Sequence, residues 1–219
     1  MSIHNIYRLI FKIWRKKRFQ LFCRILHPEI TDTLLDVGGY PGEWTQYQRV
    51  VAKIDVLNVH QITWDAGQAP EYRIRALIGN GCALTLADKS YDIGFSNSVI
   101  EHVGAWEQQR AFAVEISRVC HQLWVQTPAY ECPIEPHFIA PIVHWLPLGL
   151  RKFVARWLTP WGWLWRPDQQ TVDNEVASIR LLTKREFKSL FPDCTIYTER
   201  LFGILPKSYI AVRQREMAK

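Results

Sequence analysis

Short apolar runs separated by glycine-rich or polar turns dominate the middle of the chain. The first run, residues 34–37, leads into a turn with three glycines and then into a segment able to form a helix. Three more runs, at residues 56–59, 75–78 and 91–96, also lead into small or polar residues. Runs of this kind predict strands, and strands that alternate with helices predict a parallel sheet.

The later part of the chain first changes to helical spacing and then returns to strands. Residues 105–120 place apolar side chains at the spacing of a helix, and residues 122–127 predict a fifth strand that ends at a proline. A capping box, Thr183-x-x-Glu186, opens a further helix. Residues 194–202 and 207–213 predict an antiparallel strand pair that completes an α/β fold.

Candidate ligand-binding residues follow the strands of this predicted sheet. Open parallel sheets bind ligands at the carboxyl ends of their strands, and glycine lets the backbone approach a ligand closely because it has no Cβ. One polar residue, Asn58, lies 22 positions after Asp36, close to the offset of a ribose-binding side chain in dinucleotide folds. The candidates are Asp36, Gly38, Gly39, Gly42, Asn58, Asn80, Gly81, Asn97 and Ser98.

Three sequence blocks resemble one enzyme family. Residues 36–38, 83–92 and 96–103 are similar to the class I S-adenosylmethionine-dependent methyltransferases of the type 11 (UbiE/UbiG-like) group, and the similarity continues through residues 125–128 and 133–138. It covers about residues 30 to 213. The resemblance implies a Rossmann-like fold with a seven-stranded, mostly parallel sheet, helices on both faces and an antiparallel C-terminal hairpin. It also implies S-adenosylmethionine as the cofactor.

The resemblance assigns roles to the candidates, although several positions depart from the family pattern. It assigns the loop from Gly38 to Gly42 to the methionine part of the cofactor, and Asn97 and Ser98 to the reacting centre. The ribose position is Asn58, where the family has an acid, and Asp55 is the alternative. The adenine position is Asn80 with Gly81, again in place of an acid. Tyr40 replaces a glycine of the loop.

Two histidines are the candidate bases for methyl transfer. The imidazole of His102 titrates near neutrality and is suited to accept a proton from a hydroxyl, with His137 as the second candidate. The alternatives are that His102 only helps to start a helix and that His137 only forms hydrogen bonds within a proline-rich loop. Glu135, His137 and His144 do not have the spacing of a known metal motif, so no metal is expected.

The charge of the chain is concentrated at its N-terminus. The chain has 27 basic and 21 acidic residues, and seven basic residues but no acid precede Glu29. Residues 1–28 therefore predict a basic amphipathic helix that lies on an anionic membrane, packs its apolar side on the domain, or does both. Its apolar side is formed by Ile3, Ile6, Ile10, Ile13 and Trp14. The methyltransferase domain is expected over residues 29–213.

A tryptophan-rich segment, residues 138–170, interrupts this domain. It holds five of the ten tryptophans, mixed with prolines and basic residues that exclude a spanning helix. It is either a lid or membrane contact, or an insertion whose aromatic side chains are buried. The tryptophans are Trp145, Trp157, Trp161, Trp163 and Trp165.

These patterns leave three functions open. The leading one is a methyltransferase that acts on a small-molecule or lipid-type acceptor, in the cytoplasm or peripherally on the inner membrane surface. Five scattered cysteines without a Cys-x-x-Cys motif favour that reducing compartment. A nucleic-acid methyltransferase is the second. The glycine loop is also similar to the heat-shock type of ribosomal RNA methyltransferase. No lysine is placed to complete the catalytic set of that family, so a nucleic-acid acceptor is unlikely. The third is a non-catalytic module that retains the fold.

Overall fold

A seven-stranded sheet forms the framework of the chain. A computed structural model describes residues 3–64, 73–135, 137–138 and 140–215, with side chains from residue 14 onward. The strands are β1 (Thr33–Val37), β2 (Lys53–Asn58), β3 (Arg73–Ile78), β4 (Tyr91–Asn97), β5 (Cys120–Pro128), β6 (Ile134–Glu135), β7 (Ala140–Pro141), β8 (Thr195–Leu201) and β9 (Leu205–Arg213). The order in the sheet is β3-β2-β1-β4-β5-β9-β8, and β6 and β7 form a separate two-stranded sheet.

The described residues also form seven helices. They are α1 (Ile3–Leu26), α2 (Pro41–Trp44), α3 (Trp106–Val119), α4 (Leu148–Trp157), α5 (Pro160–Trp165), α6 (Gln169–Ser178) and α7 (Lys184–Leu190). Short 3₁₀ turns occupy Ile100–His102 and Val143–Trp145. None of these helices is both long and apolar enough to cross a bilayer.

The strand pairing confirms the predicted fold class. Strand β1 pairs in parallel with β2 and β4, and β2 pairs in parallel with β3, so these four strands end at one edge. The C-terminal strands β8 and β9 form the predicted antiparallel hairpin. The capping box is also confirmed, because Thr183 accepts from the backbone N–H of Glu186 and the glutamate side chain accepts from the backbone N–H of Thr183.

The chain divides into two compact units. The first contains the described residues up to 96, residues 115–124 and the chain from 212. Its core is a parallel sheet of β-branched and leucine side chains, typical of strands buried on both faces. The second contains residues 97–114 and 125–211.

Helix α1 packs its C-terminal half into the first unit. Phe22 is fully buried and meets Phe95 and Trp124 edge-on, each with a ring-centroid distance of 5.6 Å. Phe19 stacks on Tyr47 at 4.1 Å. The helix therefore packs on the domain over this half. The predicted apolar positions 3, 6, 10 and 13 lie outside the residues whose side chains are described.

The tryptophan-rich segment folds in the second unit as two helices with a sharp corner. At the corner Thr159 caps α5 by accepting from the Gly162 N–H, and its hydroxyl donates to the carbonyl of Ala155. A Cβ at Gly162 would lie 2.0 Å from the carbonyl oxygen of Arg156, so only glycine fits there. Trp161 packs against Phe138 in a small apolar core. The other four tryptophans, Trp145, Trp157, Trp163 and Trp165, are exposed.

Candidate active site

The glycine turn after β1 closes over a buried carboxylate. Gly38 has a φ of +84°, which favours glycine, and its N–H donates to the Leu57 carbonyl at 2.7 Å. A Cβ at Gly39 would lie 1.9 Å from Asp36 Oδ2, so the second glycine makes room for the acid beneath it. The same oxygen accepts from Trp44 Nε1 at 2.8 Å. The turn is thus a cradle that a side chain would fill.

Asp36 lacks one hydrogen bond in this cradle. Burial raises its pKa from 3.8 to about 7, the hydrogen bond from Trp44 opposes this increase, and the charge of Glu43 adds to it. Its Oδ1 atom is buried and has no hydrogen-bond partner in the described part of the chain. A cationic ligand with N–H donors, such as the ammonium end of a methionine, would compensate this oxygen. The loop residues therefore fit the methionine part of S-adenosylmethionine.

The two asparagines predicted to bind the nucleoside lie at the ends of β2 and β3. Asn58 Nδ2 donates to the Gly39 carbonyl at 3.3 Å, which ties the end of β2 to the glycine turn. Asn80 is exposed, and its Oδ1 accepts from the Cys82 N–H at 2.9 Å. The alternative ribose ligand, Asp55, is fully buried.

The carboxylate of Asp55 is occupied by three other groups. It accepts from Arg75 Nη2 at 2.8 Å and from the Tyr91 hydroxyl at 2.5 Å, and Lys53 Nζ lies at 2.8 Å. Burial tends to raise its pKa, but these partners outweigh burial and lower it. Both oxygens of Asp55 are therefore occupied by neighbouring side chains. Asn58 is left as the ribose candidate.

The end of β4 is strained and firmly held. Ser98 has a φ of +57°, and its hydroxyl donates to Gln126 Oε1 at 2.9 Å while its N–H donates to the Gln126 carbonyl. Such a conformation in a residue other than glycine costs free energy and often marks a functional site. In the first unit, the Ser96 hydroxyl donates to the Val37 carbonyl. Asn97 is half-buried at the end of the strand.

The two candidate bases meet in the second unit, although 35 positions separate them in sequence. His137 Nε2 lies 3.1 Å from His102 Nε2, and the two rings are perpendicular. His137 Nδ1 lies 2.6 Å from Glu135 Oε1, and Glu135 Oε2 accepts from the Phe138 N–H at 2.7 Å. A carboxylate, an imidazole and a second imidazole therefore form one hydrogen-bonded chain. We call it the Glu135–His137–His102 chain.

The two imidazoles have opposite pKa shifts. Burial lowers the pKa of His102 to about 4, and the charge of His137 lowers it further against the opposing charge of Glu135. Burial would also lower the pKa of His137, but the hydrogen bond and charge of Glu135, with Glu101 and Glu175, raise it overall. A proton shared by the pair is therefore more stable on His137.

A metal ion is a second possible use of the same atoms. One ligand atom each of Glu101, His102 and His137 lies within 4.8 Å of the others. Glu101 is buried, and its Oε2 also accepts from the Thr127 hydroxyl at 3.0 Å. This is a different trio from Glu135, His137 and His144, since Glu135 instead orients His137. His144 Nε2 lies 2.9 Å from the Tyr130 carbonyl oxygen.

A cavity of about 410 Å³ lies beside the Glu135–His137–His102 chain in the second unit. Glu135 forms part of its wall, so the carboxylate that orients His137 also faces the cavity. Apolar side chains of Phe138, Val176 and Leu181 line it together with Arg151 and several other polar groups. The volume suits a small organic molecule. Sequence patterns gave no sign of the cavity, because its walls come from distant segments.

Comparison with known proteins supports the class of enzyme. A family model described as "Methyltransferase domain" matches residues 35–122, which include the glycine turn and His102. A search of curated proteins finds no match.

Solved structures share the fold. An S-adenosylmethionine-dependent methyltransferase from Methanosarcina mazei is 14% identical with a TM-score of 0.50, over 87% of this chain and 95% of that one. A 1,6-didemethyltoxoflavin-N1-methyltransferase from Burkholderia thailandensis, solved with 1,6-didemethyltoxoflavin and S-adenosylhomocysteine, is 12% identical with a TM-score of 0.56, over 88% and 74%. A protein described as a putative Zn-dependent alcohol dehydrogenase from Rhodobacter sphaeroides is 11% identical with a TM-score of 0.59, over 90% and 88%.

The domain match and the fold together define an S-adenosylmethionine-dependent methyltransferase. The predicted class of enzyme and its cofactor, S-adenosylmethionine, are thereby confirmed. At 11–14% identity, these solved structures show the shared fold alone.

Proposed function

We propose that the enzyme methylates a small-molecule or lipid-type acceptor, and that the Glu135–His137–His102 chain removes a proton from the acceptor. The hydrogen-bonded chain itself is the observation that supports this proposal. We also propose the type 11 (UbiE/UbiG-like) group, on the resemblance of residues 96–103. The domain boundaries of residues 29–213 and a cytoplasmic location are part of the same proposal.

Each member of the chain has a distinct role in moving the proton. The carboxylate of Glu135 accepts from His137 Nδ1–H and so selects the tautomer with a lone pair on His137 Nε2. His102 Nε2–H then donates to His137 Nε2 across 3.1 Å. The lone pair of His102 Nδ1 is left to take the proton from the hydroxyl of the methyl acceptor. As Nδ1 gains that proton, the Nε2 proton moves to His137. The resulting imidazolium is stabilised by the negative charge of Glu135.

The remaining site residues would bind and align the reactants. S-adenosylmethionine supplies a methyl group on a positively charged sulfur, which is reactive without help from a metal. We propose that the turn from Gly38 to Gly42 and Asp36 hold its methionine part. Asn58 would hold the ribose, and Asn80 with Gly81 the adenine. Asn97 and Ser98 would lie beside the reacting centre, where alignment lowers the barrier.

Labelled methyl transfer tests this function. The protein is incubated with S-adenosylmethionine carrying a labelled methyl group and with separate lipid, small-molecule and RNA extracts. We expect label in the lipid or small-molecule fraction, and a loss of about 10² to 10⁴ in rate when His102 or His137 is changed to alanine. His121→Ala is the matched control, because that side chain is exposed at the start of β5. Label in RNA alone, or unchanged rates in both variants, would contradict the proposal.

Failure to bind S-adenosylmethionine would instead support a non-catalytic module. Titration calorimetry with the cofactor separates this case from a wrong acceptor. A protein that binds the cofactor but labels none of the fractions keeps its class and loses only the proposed acceptor.

We further propose that α4 and α5 contact an anionic membrane. Their exposed apolar side chains support this, since Trp157 is 53%, Leu158 58% and Trp163 63% exposed. No acidic residue lies between Glu135 and Asp168, whereas four basic residues do. Tryptophan with basic residues is typical of the interface between lipid and water.

Vesicle co-sedimentation tests this contact. We expect binding to anionic vesicles at low salt that weakens with added salt, and at least tenfold weaker binding when Trp157 and Trp163 are both changed to alanine. Lys16→Glu with Lys17→Glu tests the N-terminal helix separately. These residues are exposed, whereas removal of the whole helix would also remove the buried Phe22. Equal binding of the protein and the double tryptophan variant would refute a role for α4 and α5.

A further inference from the structure

The cavity beside Glu135 contains an arginine that forms no direct ion pair with a described acid. Arg151 of α4 lines the cavity, and its Nη2 atom donates to the carbonyls of His144, at 2.7 Å, and Leu146, at 3.3 Å. It forms no ion pair with a carboxylate among the residues that the structure describes. Its Nε atom is shielded from solvent and has no hydrogen-bond partner there.

The other charges of the cavity are already paired. Arg180 donates to Glu186 at 2.6 Å and to Gln109 at 2.7 Å. Glu135 is engaged by His137 and by the Phe138 N–H. Arg151 therefore lacks a carboxylate at ion-pair distance, whereas Glu186 and Glu135 each have a partner at 2.6 Å. A half-buried guanidinium without an anion, and a shielded N–H without an acceptor, both raise the free energy of the empty protein.

A second buried group of the cavity also lacks a partner. His144 is 6% exposed, and its Nε2 hydrogen bond to the Tyr130 carbonyl requires that Nε2 carries the proton. The lone pair of Nδ1 is then directed away from that bond, and this atom has no partner in the described part of the chain. Arg151 and His144 thus provide a donor and an acceptor that the protein leaves unused.

Part of the wall is apolar. Phe138 is 3% and Val176 2% exposed, and both belong to the small core that supports α4 and α6. An apolar body would exchange water for these side chains, while a polar end would face Arg151.

We propose that this cavity binds the methyl acceptor and that the acceptor carries an anionic oxygen group, a carboxylate or a phosphate, on an apolar body. The inference rests on the proposed function only in identifying the bound molecule as the methyl acceptor. The anionic group pairs with Arg151, where guanidinium geometry suits both oxygen anions.

Binding measured without cofactor or turnover tests the proposal. The probes are 3-phenylpropanoate, its amide 3-phenylpropanamide, and phenyl phosphate, each titrated into the full chain by calorimetry. We expect at least one of the two anions to bind at least tenfold more tightly than the amide. The preferred anion distinguishes carboxylate from phosphate recognition.

Variants of α4 locate the preference. Arg151→Gln should remove the advantage of the anion over the amide, whereas Arg151→Lys should retain part of it because the charge remains. Arg156→Gln is the matched control: this arginine lies on the same helix but pairs with Gln169 and stacks on Trp157. Thermal melting confirms that each variant is folded.

Three outcomes would overturn the proposal. They are equal binding of acid and amide to the unchanged protein, an unchanged preference in a folded Arg151→Gln variant, and absence of binding of both anions at millimolar concentration. None of them bears on labelled methyl transfer, so they leave the proposed function intact. A protein that transfers no methyl group but binds the anion through Arg151 would retain the site and lose the function.

Discussion

Replacement of Gly39 by alanine should destabilise the first unit, because the new methyl group would occupy the space of the Asp36 carboxylate. The Cβ would lie 1.9 Å from Oδ2 and 2.4 Å from Cγ, far inside van der Waals contact. The carboxylate has no free space to enter, since Asp36 is 3% exposed and its partner Trp44 is 2% exposed. The turn or the carboxylate has to move.

The size of the effect follows from two costs. Overpacking of a buried site costs about 1–3 kcal/mol. Loss of the 2.8 Å bond from Trp44 Nε1 to Asp36 Oδ2 leaves two buried polar groups unpaired, which costs about 1–3 kcal/mol more. We expect a decrease of about 2–6 kcal/mol in the free energy of unfolding, which corresponds to roughly 5–20 °C in Tm for a chain of this size.

Urea denaturation and thermal melting measure this change, and Gly42→Ala is the matched control. A Cβ at Gly42 meets only Trp64, at 3.9 Å, so this variant should unfold within about 1 kcal/mol of the original protein. Equal stability of Gly39→Ala and Gly42→Ala would refute the assignment of Asp36 to the space beneath the turn.

Three other changes test the electrostatics of the site. The rate of methyl transfer should decrease as pH falls through the pKa of His137, which lies above the usual 6.5. Glu135→Gln should move this decrease to lower pH. An unchanged pH profile of kcat in this variant would contradict the relay. The pKa of Asp36 is about 7 in the folded protein, against the usual 3.8, so the original protein should lose stability as pH rises between these values. Asp36→Asn should remove that loss, which is worth about 2–4 kcal/mol at pH 8. If urea denaturation shows the same pH dependence for both proteins at pH 4 and 8, the acid is not buried as described. Dialysis against a chelator should leave the rate unchanged, whereas a loss restored by Zn²⁺ would show that Glu101, His102 and His137 hold a metal.

The strands and capping signals of this chain were predictable because they depend on neighbours in sequence. The predicted strand at residues 91–96 nearly matches β4, and the Thr183 capping box is a motif of only four residues. The paired histidines could be named from the resemblance, but their contact could not, because 35 positions lie between them. The sequence offers Glu135 only as a candidate metal ligand, and its hydrogen bond to His137 is a contact that the spacing of the two residues does not determine.

The roles of Asp55 and Arg151 lay beyond sequence reasoning for a different reason. An acid near the end of β2 has the right type and spacing for a ribose ligand, and only its tertiary partners show that its oxygens are occupied. Arg151 looks like one more basic residue of a tryptophan-rich segment. Its importance depends on the lack of an acidic partner in the folded protein, which the sequence pattern does not show.

The Glu135–His137–His102 chain and the cavity are linked by Glu135, and this link makes the electrostatics of acceptor binding testable. Glu135 both lines the cavity and raises the pKa of His137. An anion at Arg151 would add a further negative charge to the same cavity, and nearby negative charge favours the imidazolium. Binding of an acidic acceptor should therefore raise the pKa of His137 further, so that the base becomes stronger when its substrate is present. Imidazole NMR titration with 3-phenylpropanoate would detect this increase, and the amide should produce none.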